Sequence, residues 1–263
     1  MGGNLAAATQ DIIEGAKMAP LWLSLGWNQT VSRFRRTILG PFWLSANLIV
    51  IGFSMAYVFG GLAAGGSQSL LPKLLAGLLA WTLLGGPIAE AAGVFISAGP
   101  MMNAQRLPLS FHVYLLMFRA FINFGAQLLA LWIIYLLFRI GSLPAWPILV
   151  GLPLVLIISF LMSLILAMPS TRFRDVNQLS GFVFQILFFV TPVFWDPSQM
   201  KPRYRFILDY NPFAHYLELI REPLLGRIPA MVHYEWAIGS ILVLSAIAVA
   251  LLALYRKRVI FWL

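Results

Sequence analysis

Six apolar segments, separated by short polar connections, follow one another along the chain. They cover residues 41–60, 74–98, 111–138, 146–168, 176–195 and 236–255. A transmembrane helix needs about 20 mostly apolar residues, and each segment reaches that length. No alternating β-barrel pattern is present, and a helix satisfies its own backbone groups in lipid. The pattern therefore predicts an all-α integral membrane protein, with six transmembrane helices in one domain of residues 1–263.

Basic residues lie mainly on one side of this predicted topology. If the N-terminus is cytoplasmic, the inner flanks of the spans carry Arg33, Arg35, Arg36, Arg106, Arg172, Arg174, Arg256, Lys257 and Arg258. The short outer connections then carry only Lys73 and Arg139. Membrane proteins retain Lys and Arg preferentially on the cytoplasmic side. We therefore expect both termini in the cytoplasm.

A polar connection between the N-terminus and the first span has its own periodicity. Apolar residues recur at helical spacing on one face, at Leu23, Trp27, Val31, Phe34 and Ile38. Gln29, Arg33 and Arg36 lie on the other face. This pattern predicts a helix at residues 21–38 that lies along the inner membrane surface rather than crossing it. One interpretation is that this helix only anchors the chain to the lipid surface and has no further role.

Two further connections are distinctive. Residues 99–110 form a short inner connection with a proline near each end. Residues 196–235 form a longer outer segment, in which Asn211-Pro212 is typical of a helix N-cap followed by proline in the first turn. One face of that helix carries Phe213, Tyr216, Leu217, Ile220 and Leu224, and Glu218, Arg221 and Glu222 lie away from it. We expect a short re-entrant helix in the outer leaflet or against the spans.

Charged residues inside spans are few, which makes Glu90 and Arg119 notable. Each lies eight residues from the inner end of its predicted span, about 12 Å along a helix axis. The two spans are antiparallel and joined by a short connection, so the two charges share one depth. We predict a buried Glu90–Arg119 ion pair, which either holds two spans together or takes part in gating.

Composition supports lipid as the solvent. The chain is 60% hydrophobic and 10% charged, whereas soluble domains are about 25% charged. The net charge of +9 is explained by the inner-face cations, so nucleic acid is not an expected partner. Asp11 and Glu14 precede any apolar run, so a signal peptide is not expected. The absence of cysteine excludes disulfide and thiolate chemistry.

Signatures of catalysis are also absent from the sequence. It contains no Gly-x-x-x-x-Gly-Lys-Ser/Thr loop for nucleotide phosphates, no His-Glu-x-x-His and no Gly-x-Ser-x-Gly. The three histidines are scattered, at His112, His215 and His233. We therefore expect no catalytic, cofactor-binding or metal-binding residues in this chain.

Two stretches resemble signature segments of the ABC-2 type permeases that export polysaccharides. The first is "RFRRTILGPFWL", residues 33–44, at the start of the first span. The second is "DYNPFAHYLELIREPLLG", residues 209–226, before the last span. The order of parts also matches along nearly the whole chain. The resemblance implies a transport subunit of a bacterial inner-membrane ABC exporter for lipid-linked polysaccharide, with O-antigen favoured as cargo.

What the resemblance implies for partners and residues is specific. It implies a homodimer bound to two copies of a separate ATPase, which carries ATP and Mg²⁺, and a lipid-diphosphate-linked polysaccharide as cargo. The ATPase contact would use Arg33, Arg35, Arg36, Met101, Met102, Gln105 and Arg106. The translocation pathway, between the first and fifth spans, would use Phe53, Tyr57, Phe182, Gln185 and Phe189. An outer gate would use Asn211, Pro212, Tyr216, Glu218 and Arg221.

Other functions remain open at this point. The same machine could carry teichoic acid or capsular polysaccharide. A polytopic enzyme acting on lipid-linked sugars would need clustered acids near the interface, but the acids outside residues 196–235 are isolated. A channel or secondary transporter would work without any ATPase, and the sequence has no internal repeat to support it.

Overall fold

The chain is all-helical in its computed structural model, as predicted, over the described residues 2–35, 37–38, 40, 42–60, 66–195, 197 and 200–262. The helices are α1 (Gly2–Lys17), α2 (Ala19–Phe34), α3 (Phe42–Gly60), α4 (Gly66–Ala91), α5 (Val94–Ala104), α6 (Leu109–Phe138), α7 (Ile148–Arg172), α8 (Asp175–Val190), α9 (Phe206–Asp209), α10 (Pro212–Leu224) and α11 (Met231–Trp262). A 3₁₀ turn at Pro202–Tyr204 precedes α9.

Four helices among the described residues are long and apolar enough to cross a membrane. They are Leu70–Ala91, Leu109–Phe138, Ile148–Arg172 and Met231–Trp262. The first and fifth predicted spans correspond to shorter apolar helices, at Ser45–Gly60 and Asp175–Val190. The six-span topology therefore stays a prediction, and four of its spans have the required length.

Helix α4 occupies the centre of the bundle. It packs against α3, α6, α7, α8 and α10, and 72% of its most apolar stretch is buried inside the protein. Its fully buried side chains include Leu75, Leu79, Leu83 and Leu84. Lipid tails are as apolar as leucine, so burial from water does not hold these helices together. Close van der Waals packing must do so instead.

Two glycines allow the backbone to approach the neighbouring chain closely. A Cβ added at Gly77 of α4 would overlap the carbonyl oxygen of Val193, in the turn after α8. A Cβ added at Gly151 of α7 would overlap the carbonyl oxygen of Leu219 in α10. Both contacts involve backbone atoms, which cannot move aside as a flexible side chain can. These glycines therefore allow the turn after α8 and helix α10 to pack closely against α4 and α7.

The observed helices correct two predicted boundaries. The predicted span 74–98 ends at Ala91, because the chain turns at Gly93, a residue with poor helix propensity, before α5 begins. Residues 99–104 of the predicted inner connection are therefore helical. The predicted span 176–195 ends at Val190, just before Pro192. Residues 191–195 therefore form a turn rather than the last turn of a span.

Helix α1 was not predicted, and it caps the start of α6. The Asp11 carboxylate accepts hydrogen bonds from the backbone N–H groups of Leu109 and Ser110, at 3.1 and 3.0 Å. The Ser110 hydroxyl donates to the Asp11 carbonyl oxygen at 2.6 Å. The first N–H groups of a helix have no partner within it, so a buried helix start needs an acceptor from elsewhere. Asp11 supplies that acceptor from a distant part of the sequence.

We expect Asp11→Ala to loosen the N-terminal helices from the bundle. Loss of an N-terminal capping acceptor costs about 0.5–2 kcal/mol, and the α6 N–H groups would remain buried. Amide hydrogen exchange in detergent should accelerate at residues 109–111. Glu14→Gln is the matched control, because Glu14 is exposed on the same helix and its carboxylate accepts from the Gln10 amide. Unchanged exchange in Asp11→Ala would contradict the capping role.

Candidate functional site

Helix α2 packs on α6 through its smaller residues and leaves its apolar face open. Gly26 and Thr30 are buried, and Gly26 lies against the Phe118 ring. The predicted apolar face is largely exposed, with Trp27 57% and Val31 44% accessible. This exposure is typical of a helix whose apolar face meets lipid. The helix ends at Phe34, four residues earlier than predicted.

The Glu90–Arg119 pair forms in the structure and joins three helices. One Arg119 guanidinium nitrogen donates to Glu90 of α4, and the other donates to the Gln29 side-chain oxygen of α2 at 3.2 Å. The prediction that the pair is buried is wrong for the single chain, because the Glu90 side chain is 55% exposed. The pair lies beside an open cleft rather than inside the core. Arg33 lines the same small cavity as Glu90 and Arg119.

Gln29 was not predicted as part of this cluster. The amphipathic pattern assigned it only to the polar face of α2. The sequence nevertheless contains a sign of this polar cluster. In α6, Arg119, Asn123 and Gln127 recur every fourth residue within a mostly apolar helix. In an α-helix this spacing places polar residues on one face. Such a stripe at membrane depth marks a face that does not contact lipid.

The predicted ATPase-contact residues divide into exposed and buried groups. Arg33, Arg35, Gln105 and Arg106 are exposed, Met101 is partly exposed, and Arg36 lies outside the described residues. Met102 is 5% exposed and belongs to an apolar cluster with residues of α6, α7 and α11. Its prediction as a surface contact is therefore wrong, because residues 94–104 form a helix that turns this side chain inward.

The predicted pathway residues lie on α3 and α8, which share α4 as a neighbour but otherwise pack against different helices. Helix α3 packs against α4 and α6, whereas α8 packs against α4 and α7. Tyr57 is 88% exposed, Phe182 66% and Phe189 55%, and Gln185 is exposed as well. Phe53 is partly buried against the Phe138 ring. One chain therefore presents these aromatic surfaces without bringing the two helices together.

The outer segment is packed into the protein rather than open. Asn211 caps α10, since its side-chain oxygen accepts from the Phe213 N–H at 3.0 Å, which confirms the predicted N-cap. Its amide nitrogen also donates to the Thr191 hydroxyl at 3.1 Å. Pro212 stands in the first turn, and the buried Tyr216 donates its hydroxyl to Ser240 of α11. This helix therefore links the end of α8 to α11.

Arg221 is the main correction in this segment. It was predicted to lie away from the packed face of α10, but it is only 8% exposed. Its guanidinium donates to both oxygens of Glu218 and to the carbonyl oxygen of Pro192, in the turn after α8. Buried arginine is tolerated when its charge is paired and its N–H groups have acceptors. The pair fixes α10 to the outer end of α8.

A histidine pair that was not predicted joins the same region to α11. The Nδ1 atoms of His215 and His233 lie 2.9 Å apart, and His215 Nε2 lies 3.1 Å from the carbonyl oxygen of Asp209. A carbonyl oxygen can only accept, so His215 Nε2 donates to it, and in a neutral His215 ring Nδ1 is then the acceptor for His233. His215 also stacks on the Trp236 ring. No pattern in the sequence signalled this pair.

Comparisons with known proteins decide the family. The family model for the ABC-2 type transporter matches residues 20–225. The chain belongs to the ABC-2 type transporter family. It is also 21% identical over 231 residues to an O-antigen export system permease protein RfbA of Klebsiella pneumoniae, covering 86% of each chain. A second protein of that name from Klebsiella pneumoniae is 21% identical over 186 residues, covering 69% of this chain and 71% of the other.

Family membership indicates the general role of the chain. Membership in the ABC-2 family confirms the predicted resemblance, and together with the long apolar helices it supports a multi-pass membrane protein of a transporter. The matched region begins at α2 and ends just after α10. It therefore includes the Gln29–Arg119–Glu90 cluster and the Glu218–Arg221 pair.

The outer region of this ABC-2 permease contains a charged cavity of about 190 Å³. Its polar lining residues are Lys73, Glu218, Arg221, Glu222 and Arg227, together with the Trp195 ring. Burial raises the pKa of the Glu222 carboxyl above its usual range, and the neighbouring Glu218 carboxylate adds to the rise. Arg227, Arg221 and Lys73 oppose it. At neutral pH the protein therefore holds Glu222 in an environment that disfavours its charge.

The raised pKa of Glu222 predicts a pH-dependent stability. Its carboxyl binds a proton more tightly in the folded than in the unfolded state, so stability falls as pH rises through the raised pKa. We expect Glu222→Gln to raise the melting temperature at pH 7, with the difference shrinking as the pH is lowered. The loss of the 3.7 Å contact with exposed Arg227 should be small.

The control for this measurement is Glu235→Gln, because Glu235 is exposed. Its melting temperature should follow that of the parent chain at every pH. A melting temperature of Glu222→Gln below that of the parent at pH 7 would refute the burial argument.

Proposed function

We propose that this chain is the membrane-spanning permease of an ATP-driven exporter that moves lipid-linked polysaccharide, of the O-antigen class, across the bacterial inner membrane. The alignment with O-antigen export permeases over 86% of both chains carries this proposal. The sequence contains no phosphate-binding loop, so ATP and Mg²⁺ would be bound by a separate ATPase subunit and no cofactor by this chain. The permease would have six spans and cytoplasmic termini.

The ATPase would bind at the inner ends of α2 and α5. Exposed Arg33 and Arg35 lie at the end of α2, and exposed Gln105 and Arg106 follow α5. Exposed cations that fall on the cytoplasmic side suit an acidic surface on a soluble partner. Arg36 would extend this surface in sequence. Met101, which is partly exposed, would add an apolar contact.

Movement of α2 would reach the spans through Arg119. This side chain bonds to Gln29 on one side and to Glu90 on the other, so a displacement of α2 acts on α4 and α6 together. Helix α4 in turn packs against α3, α8 and α10. One charged side chain therefore connects the proposed docking helix with the proposed pathway helices and the outer segment.

The pathway would form between two copies of the permease. Tyr57 of α3 and Phe182 and Phe189 of α8 are aromatic residues with more than half of their surface exposed in the described part of one chain. In a homodimer, two such faces would lie opposite each other and form a path lined by aromatic rings. The C–H faces of sugars can stack on such rings. ATP binding would part the two faces. A long glycan would then pass stepwise, because a cavity inside the dimer could not enclose it.

Reconstitution tests the proposed function. The permease and an ATPase encoded beside it would be reconstituted in vesicles. The lipid-linked glycan would be placed in the leaflet on the ATPase side. We expect ATP-dependent transfer of the glycan only when both proteins are present. Transfer by the permease alone, driven by a gradient and without nucleotide, would identify a secondary transporter instead.

The docking surface predicts a specific loss of assembly. We expect the double substitution Arg33→Glu and Arg35→Glu to reduce co-purification of the ATPase at least about tenfold, because juxtaposed like charges cost several kcal/mol. The matched control is Arg203→Glu, an exposed arginine of the outer segment, which should leave association unchanged. Normal association of the double variant would remove α2 from the docking surface.

The Arg119 linkage predicts a loss of coupling rather than of folding. Gln29→Leu removes the α2 contact while the Glu90–Arg119 ion pair remains. We expect ATP hydrolysis by the complex to continue, with glycan exported per ATP falling about fivefold, the equivalent of one hydrogen bond of about 1 kcal/mol. Asn28→Leu is the control, because Asn28 is exposed on the same helix. An unchanged ratio in Gln29→Leu would exclude this route of coupling.

A further inference from the structure

A polar cleft opens between α3, α4 and α6 and has no role in the function proposed so far. It has a volume of about 290 Å³, close to the lower end of small-molecule sites at about 300 Å³. Its hydrogen-bonding side chains are Asn47, Thr82, Glu90, Asn123 and Gln127, and Trp43 lines it as well. Asn47, Thr82 and Glu90 are exposed in it.

The cleft arises from two polar stripes on antiparallel helices. On α4, Thr82, Gly86 and Glu90 follow one another at intervals of four residues, and on α6 Asn123 and Gln127 do the same. The Thr82 hydroxyl donates to the Gln127 side-chain oxygen at 2.7 Å, which joins the two stripes. Gly86 has no neighbour within 4 Å of an added Cβ, so it leaves space between them.

Exposed polar groups at this depth cannot face hydrocarbon. Residues 119–127 of α6 cover about 12 Å along a helix of 30 residues, well inside its ends. Amides and carboxylates in contact with lipid tails lose hydrogen bonds at a cost of several kcal/mol. Pro87 has no N–H to donate to the carbonyl oxygen of Leu83, and both residues line the cleft. The cleft is therefore built for a polar occupant.

The lining chemistry selects the class of occupant. A carboxylate lines the cleft, and no Lys or Arg does so among its described lining residues, so an anion such as a phosphate is disfavoured. Arg119 holds one oxygen of Glu90, which leaves the other free to accept from a hydroxyl. Amides both donate and accept, which matches the two capacities of a hydroxyl group. The Trp43 ring, 56% exposed, offers an apolar surface to a sugar ring.

We propose that the cleft between α3, α4 and α6 binds the hydroxyl groups of an uncharged sugar residue of the exported glycan. The identity of the ligand rests on the proposed function, whereas the site rests on the cleft itself. The cleft would hold the glycan beside the Glu90–Arg119 pair and therefore beside the linkage to α2.

Photo-crosslinking in cells that export their own glycan tests the site. Asn123→p-benzoylphenylalanine places the reactive group in the cleft. The control is Phe121→p-benzoylphenylalanine, about 200° around α6 and about 3 Å along it, at a residue 44% exposed on another face. A third variant, Phe182→p-benzoylphenylalanine, reports on the proposed pathway. After irradiation, an adduct with glycan appears as a ladder on a gel that periodate oxidation removes.

A periodate-sensitive ladder at residue 123 and none at residue 121 is the expected result. A ladder at residue 182 without one at residue 123 would overturn the cleft site and leave the exporter intact. Equal ladders at residues 121 and 123, a crosslink between two copies at residue 123, or no ladder at any position would also overturn it. Failure of the unsubstituted permease and its ATPase to export glycan is a separate result, and it would reject the proposed function instead.

A second measurement separates binding from folding. Asn123→Leu should raise the glycan concentration needed for half-maximal export about tenfold, with ATPase association unchanged, and Asn123→Gln should restore most of the loss. Phe121→Leu provides the matched change on the other face and should have no effect on that concentration. An equal defect in Asn123→Gln and Asn123→Leu would show that shape rather than hydrogen bonding matters there and would contradict the proposal.

Discussion

Close packing around α4 is the constraint on which the other parts of the permease depend. In lipid, helices gain little from hiding apolar side chains, so the bundle relies on shape complementarity and on short approaches between backbones. Gly77 provides one such approach on α4 itself, where the turn after α8 rests on the helix. Helices α3 and α8 with the proposed pathway residues, α6 with Arg119, and α10 with the Glu218–Arg221 pair all pack on α4. A change in the position of α4 would therefore reach each of these helices.

Polar contacts determine which helices are joined to each other, and apolar packing alone does not. Asp11 caps α6 and fixes the N-terminal helices, Arg119 ties α2 to α4, and Arg221 ties α10 to the end of α8. Each of these contacts joins elements far apart in sequence. In a membrane such groups are costly unless they are satisfied, so each contact is directional and has few alternatives. Together they fix α1, α2 and α10 to the rest of the bundle through a small number of defined bonds.

The apolar pattern was enough to predict the all-helical class and the main spans, and Asn211-Pro212 predicted the N-cap of α10. Each of these features depends on the local sequence alone. The charge spacing also brought Glu90 and Arg119 to one depth. Local sequence could not reveal that Asp11 caps a helix about 100 residues away or that Arg221 turns inward to a backbone carbonyl. Met102 was misplaced for a related reason, since its exposure depends on where α5 begins. Contacts between distant elements require the fold.

The most direct test of the account is the side of the membrane on which its two ends lie. The chain has no cysteine, so Ser32→Cys, Gln105→Cys and Arg203→Cys each introduce a single thiol at an exposed position. In spheroplasts, a membrane-impermeant maleimide should label only the Arg203→Cys variant, and the other two should react only after the membrane is opened. Labelling of Ser32→Cys or Gln105→Cys in sealed spheroplasts would place the proposed ATPase surface outside the cell and contradict the account.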